Sequence, residues 1–416
     1  MSPPTRPASP LPGVQRLYLR QFDLYRCLAF LGVVAQHAVL WPVPGGSVGG
    51  WSLVMVLHAT RESFFFLSAL LAGYSQEANP RSVWGVWRRR IGAILVPYLA
   101  WTAIYFVYTM ATAPQPFGPA MSLLGHDLVH GYYQLYFLVV LFQVYFLLPV
   151  LVWFVRATRR HHWVVLGCSL ALQLAMMGIS HYASWHAGVP GTIHSVDRTL
   201  LTSRLVTGYQ LYVVAGLLAA HHIGDVQRFV ERHSGRILTV VAALAAATEG
   251  YYAYGVAVGQ NPGHASDLFQ PVAVVWFLAA IAGLTALGTR WAARAARRAR
   301  REPSRWDRLV ARGADVSGGV YLSHVLVLQV VLMGLGGVGM RAATSWAWVS
   351  LVLFVVTVGL SVILVDLLLR TRLRFVLTGP VRAGERSALP LYPAPAPAPA
   401  PSAVPSALVP PTPVRG

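Results

Sequence analysis

FDLYRCLAFLGVVAQHAVLW, residues 22–41, is apolar and long enough to cross a bilayer, yet it contains Arg26 and His37. A charge or a titratable ring is costly to bury in lipid, so such residues are functional-site candidates by default. The two lie eleven positions apart. At 100° per residue, eleven steps return to nearly the same helix face, about 16 Å further along the axis. The side chains therefore point the same way and cannot touch. They read as two stations on one path through the membrane, one near each side.

The remainder of the chain sets this run inside a larger bundle. Of 416 residues, 56% are hydrophobic and 11% charged, and the mean hydropathy is +0.54. A soluble domain carries about 25% charged residues. The composition therefore gives an all-α, polytopic membrane helix bundle. Apolar stretches fall at 22–41, 51–74, 91–110, 133–155, 163–180, 204–221, 237–257, 269–288, 318–340 and 346–369, which predicts about ten transmembrane helices.

The charge pattern orients them. The net charge is +19, and every basic residue is arginine, a bias expected of a bacterium with a GC-rich genome. With the N-terminus in the cytoplasm, the inner segments hold Arg16, Arg20, Arg81, Arg88–Arg90, Arg156, Arg159, Arg160, Arg228, Arg232, Arg236 and the Arg290–Arg312 run. The outer ones hold Arg198 and Arg341, with Arg204 at a boundary. This alternation predicts both termini inside, in a multi-pass protein of the plasma membrane. It also explains the basic charge without nucleic acid, which is not expected as a partner. The run WAARAARRARR is helical in pattern and is expected to lie along the anionic inner leaflet; the alternative is a part in holding a donor's phosphates.

Residues 1–15 are Pro-rich with no apolar core for a signal peptide, and 376–416 is a Pro/Ala-rich cytoplasmic tail. Both are expected to be disordered, which leaves 16–375 as the membrane domain. Cys27 and Cys168 lie inside apolar spans and imply neither a disulfide nor a thiolate metal site.

Polar residues inside the spans carry the chemistry. Arg26 is one turn inside the inner end of its span. It suits phosphate or carboxylate, or it snorkels to the headgroups, and Asp23 can pair with it from the same face. His37 is deeper, in the outer half, where it serves either as a general base or as a hydrogen-bonded interface residue. His58, Arg61 and Glu62 have i, i+3, i+4 spacing near mid-membrane, which makes either a substrate site or a buried structural network. Tyr321 and His324 share a face of the ninth span, while Glu249 and Asp366 are isolated and read as structural. His126 and His130 have a possible metal spacing with Asp127 between them. They lack a third ligand, and no metal is expected.

Five stretches, in order, resemble the acyltransferase-3 family of integral-membrane acyltransferases. FDLYRCLAFLGVVAQH is similar to the family's first helix, with Arg, ten residues, then His. FFFLSALLAGY resembles its Phe-Phe-x-x-Ser-Gly-x-Leu stretch, with Ala69 where Gly is usual. WRRRIGAILVPYLAW, QLYFLVVLFQVYFLLPVL and SGGVYLSHVLVL resemble the third helix, the fourth helix and the late Tyr-Leu-x-His segment. The basic start of the third helix departs from the family's spacing, since Arg88–Arg90 are followed by Gly92 and Ala93.

The resemblance implies transfer of an acyl group, commonly acetyl, from cytoplasmic acyl-CoA to a hydroxyl of a carbohydrate or other cell-envelope or exported acceptor. Acyl-CoA would be a co-substrate, with no permanently bound cofactor. In that scheme Arg26, Arg88, Arg89 and Arg90 hold the donor, and His58, Tyr321 and His324 line the site. His37 acts as general base, Arg61 or Tyr321 stabilises the oxyanion, and Glu62 orients His37 or His58. A transporter or flippase for a lipid-linked or small polar substrate is the alternative. It would favour repeated, broken helices in matching halves, which the sequence does not display.

Overall fold

The computed structural model describes residues 18–185, 203–298, 304–337 and 346–379. The Pro-rich N-terminus and all but the first four residues of the expected tail lie outside them. Every regular element among the described residues is helical. The helices are α1 (Gln21–Leu40), α2 (Val48–Leu57), α3 (Ala59–Ala78), α4 (Val83–Thr112), α5 (Phe117–His130), α6 (Tyr136–Ala157) and α7 (His162–Trp185). After these come α8 (Gln210–His221), α9 (Ile223–Ala257), α10 (Pro262–Ala265), α11 (Pro271–Arg298), α12 (Arg305–Gly337), α13 (Trp346–Leu369) and α14 (Arg374–Leu377).

Nine segments among the described residues are long and apolar enough to cross a membrane. They account for nine of the ten expected spans. The sixth, 204–221, is shorter: a 3-10 turn, Val206–Tyr209, leads into the twelve residues of α8. At 2.0 and 1.5 Å per residue this rises about 26 Å, short of a ~30 Å hydrocarbon core. The irregular backbone is tolerated because the segment packs into the bundle, where Leu211, Tyr212, Val213 and Leu217 are buried.

The second span is interrupted at His58, which closes α2 and precedes α3. Thr60 Oγ1 donates to the Leu57 carbonyl at 2.9 Å, and Ser63 Oγ donates to the Ala59 carbonyl at 2.7 Å. Hydroxyls that bond back to the preceding turn weaken and bend a helix.

Two helices form the centre. α1 packs on α2, α3, α11, α12 and α13, and α3 lies closely along α8. A Cβ on Gly216 would stand 2.4 Å from the Phe66 carbonyl oxygen, and one on Gly73 would stand 3.0 Å from Ala220 Cβ. Small residues let membrane helices approach this closely, which replaces the hydrophobic drive that lipid removes. Tyr25, fully buried, donates to the Ser63 carbonyl at 3.1 Å and joins α1 to α3. Such bonds are worth about 0.6 kcal/mol each inside a membrane. Cys27 is buried as packing, with its thiol on the Val310 carbonyl. On the outside of the bundle, Val107, Phe146, Trp153, Val355 and Ile363 are exposed, a surface suited to lipid.

The arginine-rich helix ends meet at one end of the bundle. Arg156 at the end of α6 pairs with Glu77 at the end of α3 at 3.3 Å, and Arg20 reaches Asp307 at 4.0 Å. Asp366, expected to be isolated, pairs with Arg312 across α13 and α12. Glu249 accepts from Ser52 at 2.5 Å and ties α9 to α2. The start of the Arg290–Arg312 run continues α11 as far as Arg298 rather than forming a separate surface helix. Trp291 is buried there, with Arg20 5.0 Å above its ring. The expected domain end at 375 falls inside α14, which docks on α4: Trp101 Nε1 donates to the Leu377 carbonyl at 2.8 Å.

Candidate active site

Three irregular backbone segments converge on the candidate site: the break at His58, the 3-10 turn before α8 and the turn Gly131–Leu135 between α5 and α6. In the last of these, Gly131 has φ +79° and Tyr133 φ +34°. A bulky residue in the left-handed region is strained by about 1–3 kcal/mol and persists only where surrounding contacts hold it. A Cβ on Gly131 would lie 2.4 Å from the Tyr136 backbone nitrogen, so only glycine fits this turn. The result is that the Tyr133 hydroxyl stands 3.4 Å from His37 Nδ1.

His37 also faces His324, with ring centroids 5.3 Å apart. His324 is fully buried. Its Nδ1 lies 2.8 Å from the Tyr321 carbonyl and 3.2 Å from that of Val320. Carbonyls only accept, so Nδ1 carries the proton and Nε2 keeps its lone pair. Nε2 is buried with no partner among the described residues. The two imidazoles come from α1 and α12, far apart in sequence. His58 is within electrostatic reach of both His37 and Arg61.

Arg61 lies in the first turn of α3, three residues beyond His58. Its Nε donates to Glu62 Oε1 at 2.9 Å, a second nitrogen bonds the same oxygen, and Nη1 donates to the Tyr136 hydroxyl at 3.1 Å. The guanidinium lies 5.0 Å from the Tyr209 ring and 5.9 Å from that of Phe269. Glu62 is buried, and its Oε2 has no partner among the described residues. Three of the five guanidinium protons are engaged, which leaves two for a ligand.

These contacts bear on two expected roles. Among the described residues Glu62 hydrogen-bonds Arg61 and no imidazole. Tyr321 donates its hydroxyl to the Gln134 carbonyl at 2.5 Å, so that proton is already committed and Arg61 remains the candidate oxyanion donor. Gln134 in turn donates to Tyr105 at 2.5 Å, and Tyr105 to the Leu322 carbonyl at 3.0 Å. This chain of bonds fixes α12 against the Gly131–Leu135 turn.

The candidate donor arginines are at the other end. The expected Asp23–Arg26 pair is not formed, and Arg26 makes no hydrogen bond or ion pair among the described residues. Arg88, Arg89 and Arg90 lie within α4, which starts eight residues before the expected span. Arg88 and Arg89 are exposed, while Arg90 reaches the Leu71 carbonyl at 3.4 Å and lies 5.5 Å from the Tyr145 ring.

Tyr133, Tyr136, Tyr209 and Gln134 were not legible as site residues in the sequence. The only signal was the density of aromatic and amide groups in GYYQLY, at a helix start where caps and aromatic girdles are equally common. His126 and His130 stack at 4.5 Å on α5. A different group, His162, His221 and His222, places one ring nitrogen from each within 4.8 Å of the others. Partial burial, and then the neighbouring His221 and His162, lower the pKa of His222 below the ordinary imidazole range.

The fold is thus a multi-pass membrane bundle that holds paired imidazoles and a buried, carboxylate-held arginine. A family model described as an acyltransferase domain matches residues 19–366. The chain belongs to this family, the acyltransferase-3 family, and is a membrane acyltransferase. No curated protein and no solved structure gives a match.

Proposed function

We propose that the protein moves an acyl group, acetyl in the simplest case, from acyl-CoA to a hydroxyl of a carbohydrate or other envelope or exported acceptor. The observation that carries this reading is the meeting of His37, His324 and Tyr133, with His58 in electrostatic reach of both His37 and Arg61, at the opposite end of α1 from Arg26. With the N-terminus in the cytoplasm, the basic end of the bundle faces acyl-CoA. Arg26, Arg88, Arg89 and Arg90 bind the donor's phosphates there, and the pantetheine arm runs inward to bring the thioester to His37.

His37 Nδ1–H donates to the Tyr133 oxygen, which leaves Nε2 as the base. Nε2 takes the acceptor's hydroxyl proton as that oxygen attacks the thioester carbonyl carbon. Charge builds on the carbonyl oxygen, and a free Arg61 N–H donates to it. The tetrahedral intermediate then expels the CoA sulfur: the C–S bond breaks, the ester remains on the acceptor, and the imidazolium proton goes to the thiolate. Nε2 of His324 accepts a second hydrogen bond from the acceptor and orients it. Glu62 acts through Arg61 as a positioning residue.

The test is label transfer from radiolabelled acetyl-CoA and longer acyl-CoAs by detergent-purified protein, with envelope extracts as acceptor. Label should reach an acceptor with wild type and not with His37→Ala. Equal transfer by the two proteins would remove His37 from the chemistry. Transport of a substrate without any acyl-CoA dependence would replace the reading altogether.

A further inference from the structure

At the basic end of the bundle, three histidines from the junctions of α6–α7 and α8–α9 face one another. We propose that His162, His221 and His222 form a binding site for a divalent first-row transition-metal ion, zinc in the first instance, distinct from the acyl-transfer site. Glu77, beside this group, and Arg61 sit at opposite ends of α3, about 24 Å apart at helical rise.

The hydrogen-bond pattern prepares one nitrogen on each ring. His162, buried, has Nε2 2.8 Å from the Val155 carbonyl, which can only accept. Nε2 is therefore protonated, and Nδ1 presents a lone pair 2.8 Å from His222 Nε2. His221 Nδ1 lies 3.5 Å from Glu77 Oε1, and His222 Nδ1 lies 3.9 Å from Asp225 Oδ2. Without an ion, His222 Nε2–H donates to His162 Nδ1; on metal binding the His222 proton moves to Nδ1, which faces Asp225, and Nε2 of both His221 and His222 is left for the ion. A carbonyl or carboxylate behind every ligating histidine is what fixes tautomer and ring direction in metal sites. The ring planes stand at 83–89° to one another with centroids 5.0–5.1 Å apart.

Three neutral imidazoles suit zinc, with water or substrate as a fourth ligand. Tetrahedral bonds of 2.0–2.1 Å need ligand nitrogens about 3.3 Å apart, so His162 and His222 separate by about half an ångström on binding. His221 and His222 reach solvent, which gives the ion an entry path. Arg156 also pairs with Glu77, so the carboxylate offsets nearby positive charge. Bound there, the ion would tie the ends of α3, α6, α7 and α8 together.

The test uses the full-length protein in detergent, stripped with a chelator and then dialysed against buffered zinc, with cobalt as a spectroscopic probe. Wild type should retain one ion per chain and give the intense visible absorption of tetrahedral cobalt. His222→Ala, at a solvent-reaching position, should weaken binding at least tenfold while eluting as a folded protein. Glu77→Gln should weaken it by about 10–100-fold, as loss of an outer carboxylate does. A His126→Ala, His130→Ala double variant, altered at the other histidine pair, should bind as wild type does. Absence of binding by wild type at micromolar zinc, or undiminished binding by both His162→Ala and His222→Ala, would overturn the site and leave a simple imidazole–imidazole hydrogen bond.

Discussion

The Tyr133 hydroxyl lies 3.4 Å from Nδ1 of His37, and a backbone in the left-handed region, φ +34°, puts it there. Strain at this point is balanced by position: the phenol meets the imidazole only while the turn keeps its shape. Two substitutions separate these contributions. Tyr133→Phe keeps the turn and loses one neutral hydrogen bond, worth about 0.5–1.5 kcal/mol, so transfer should fall by roughly two- to tenfold with Tm unchanged. Tyr133→Gly should relax the backbone yet lower transfer further. Steady-state rates beside thermal melts of both variants check this; equal activity in all three proteins would detach Tyr133 from the chemistry.

The two imidazoles should not be equivalent. Removing a general base costs about 10²–10⁴-fold, which is the loss expected of His37→Ala. His324→Gln keeps an acceptor near the same place and should raise the acceptor's KM more than it lowers kcat. If the two variants instead have matching kinetic defects, a single base with an orienting partner is the wrong division of labour.

Arg61 and Glu62 should behave as a unit. Arg61→Met leaves a buried carboxylate without its partner, at a cost of about 3–5 kcal/mol. The Arg61→Met, Glu62→Gln double variant removes that charge as well and should recover most of the stability but none of the activity. A melt series over the four proteins of the cycle measures the coupling. Additive losses would mean that the pair is solvated rather than buried.

The close approach of α3 and α8 predicts a sharp contrast between glycines. Gly216→Ala drives a methyl into the Phe66 carbonyl, 2.4 Å away, and should destabilise by about 1–3 kcal/mol. Gly167→Ala has nothing within 4 Å and should be neutral or slightly stabilising. Thermal melts in one detergent compare them directly.

Much of the bundle was legible because lipid imposes a simple rule on sequence: long apolar runs with arginine between them. Residues 204–221 resisted that rule, because hydropathy measures apolarity and not the 3-10 geometry that shortens the element. The site was legible in part for a similar reason. His37, His58, Arg61, Glu62, Tyr321 and His324 stand out as polar groups in apolar runs, and the fold brings them to one end of α3. Their pairing was hidden, since contact between α1 and α12 has no local signature. Tyr133 was hidden more deeply, because a strained φ depends on what surrounds the turn, and tyrosine at a membrane boundary is unremarkable. The clustering of His162 with His221 and His222 likewise arises only when α7 and α8 are side by side.

The meeting of His37 with His324 has a consequence for biosynthesis. Chains emerge N-terminus first, so the helix bearing His37 is made long before the one bearing His324. Until α12 packs against α1 and α4, the nascent protein holds His37 without the imidazole that faces it. Ribosome-bound and C-terminally truncated intermediates should therefore hold the acceptor poorly, and full competence should arrive only in a late step of membrane insertion.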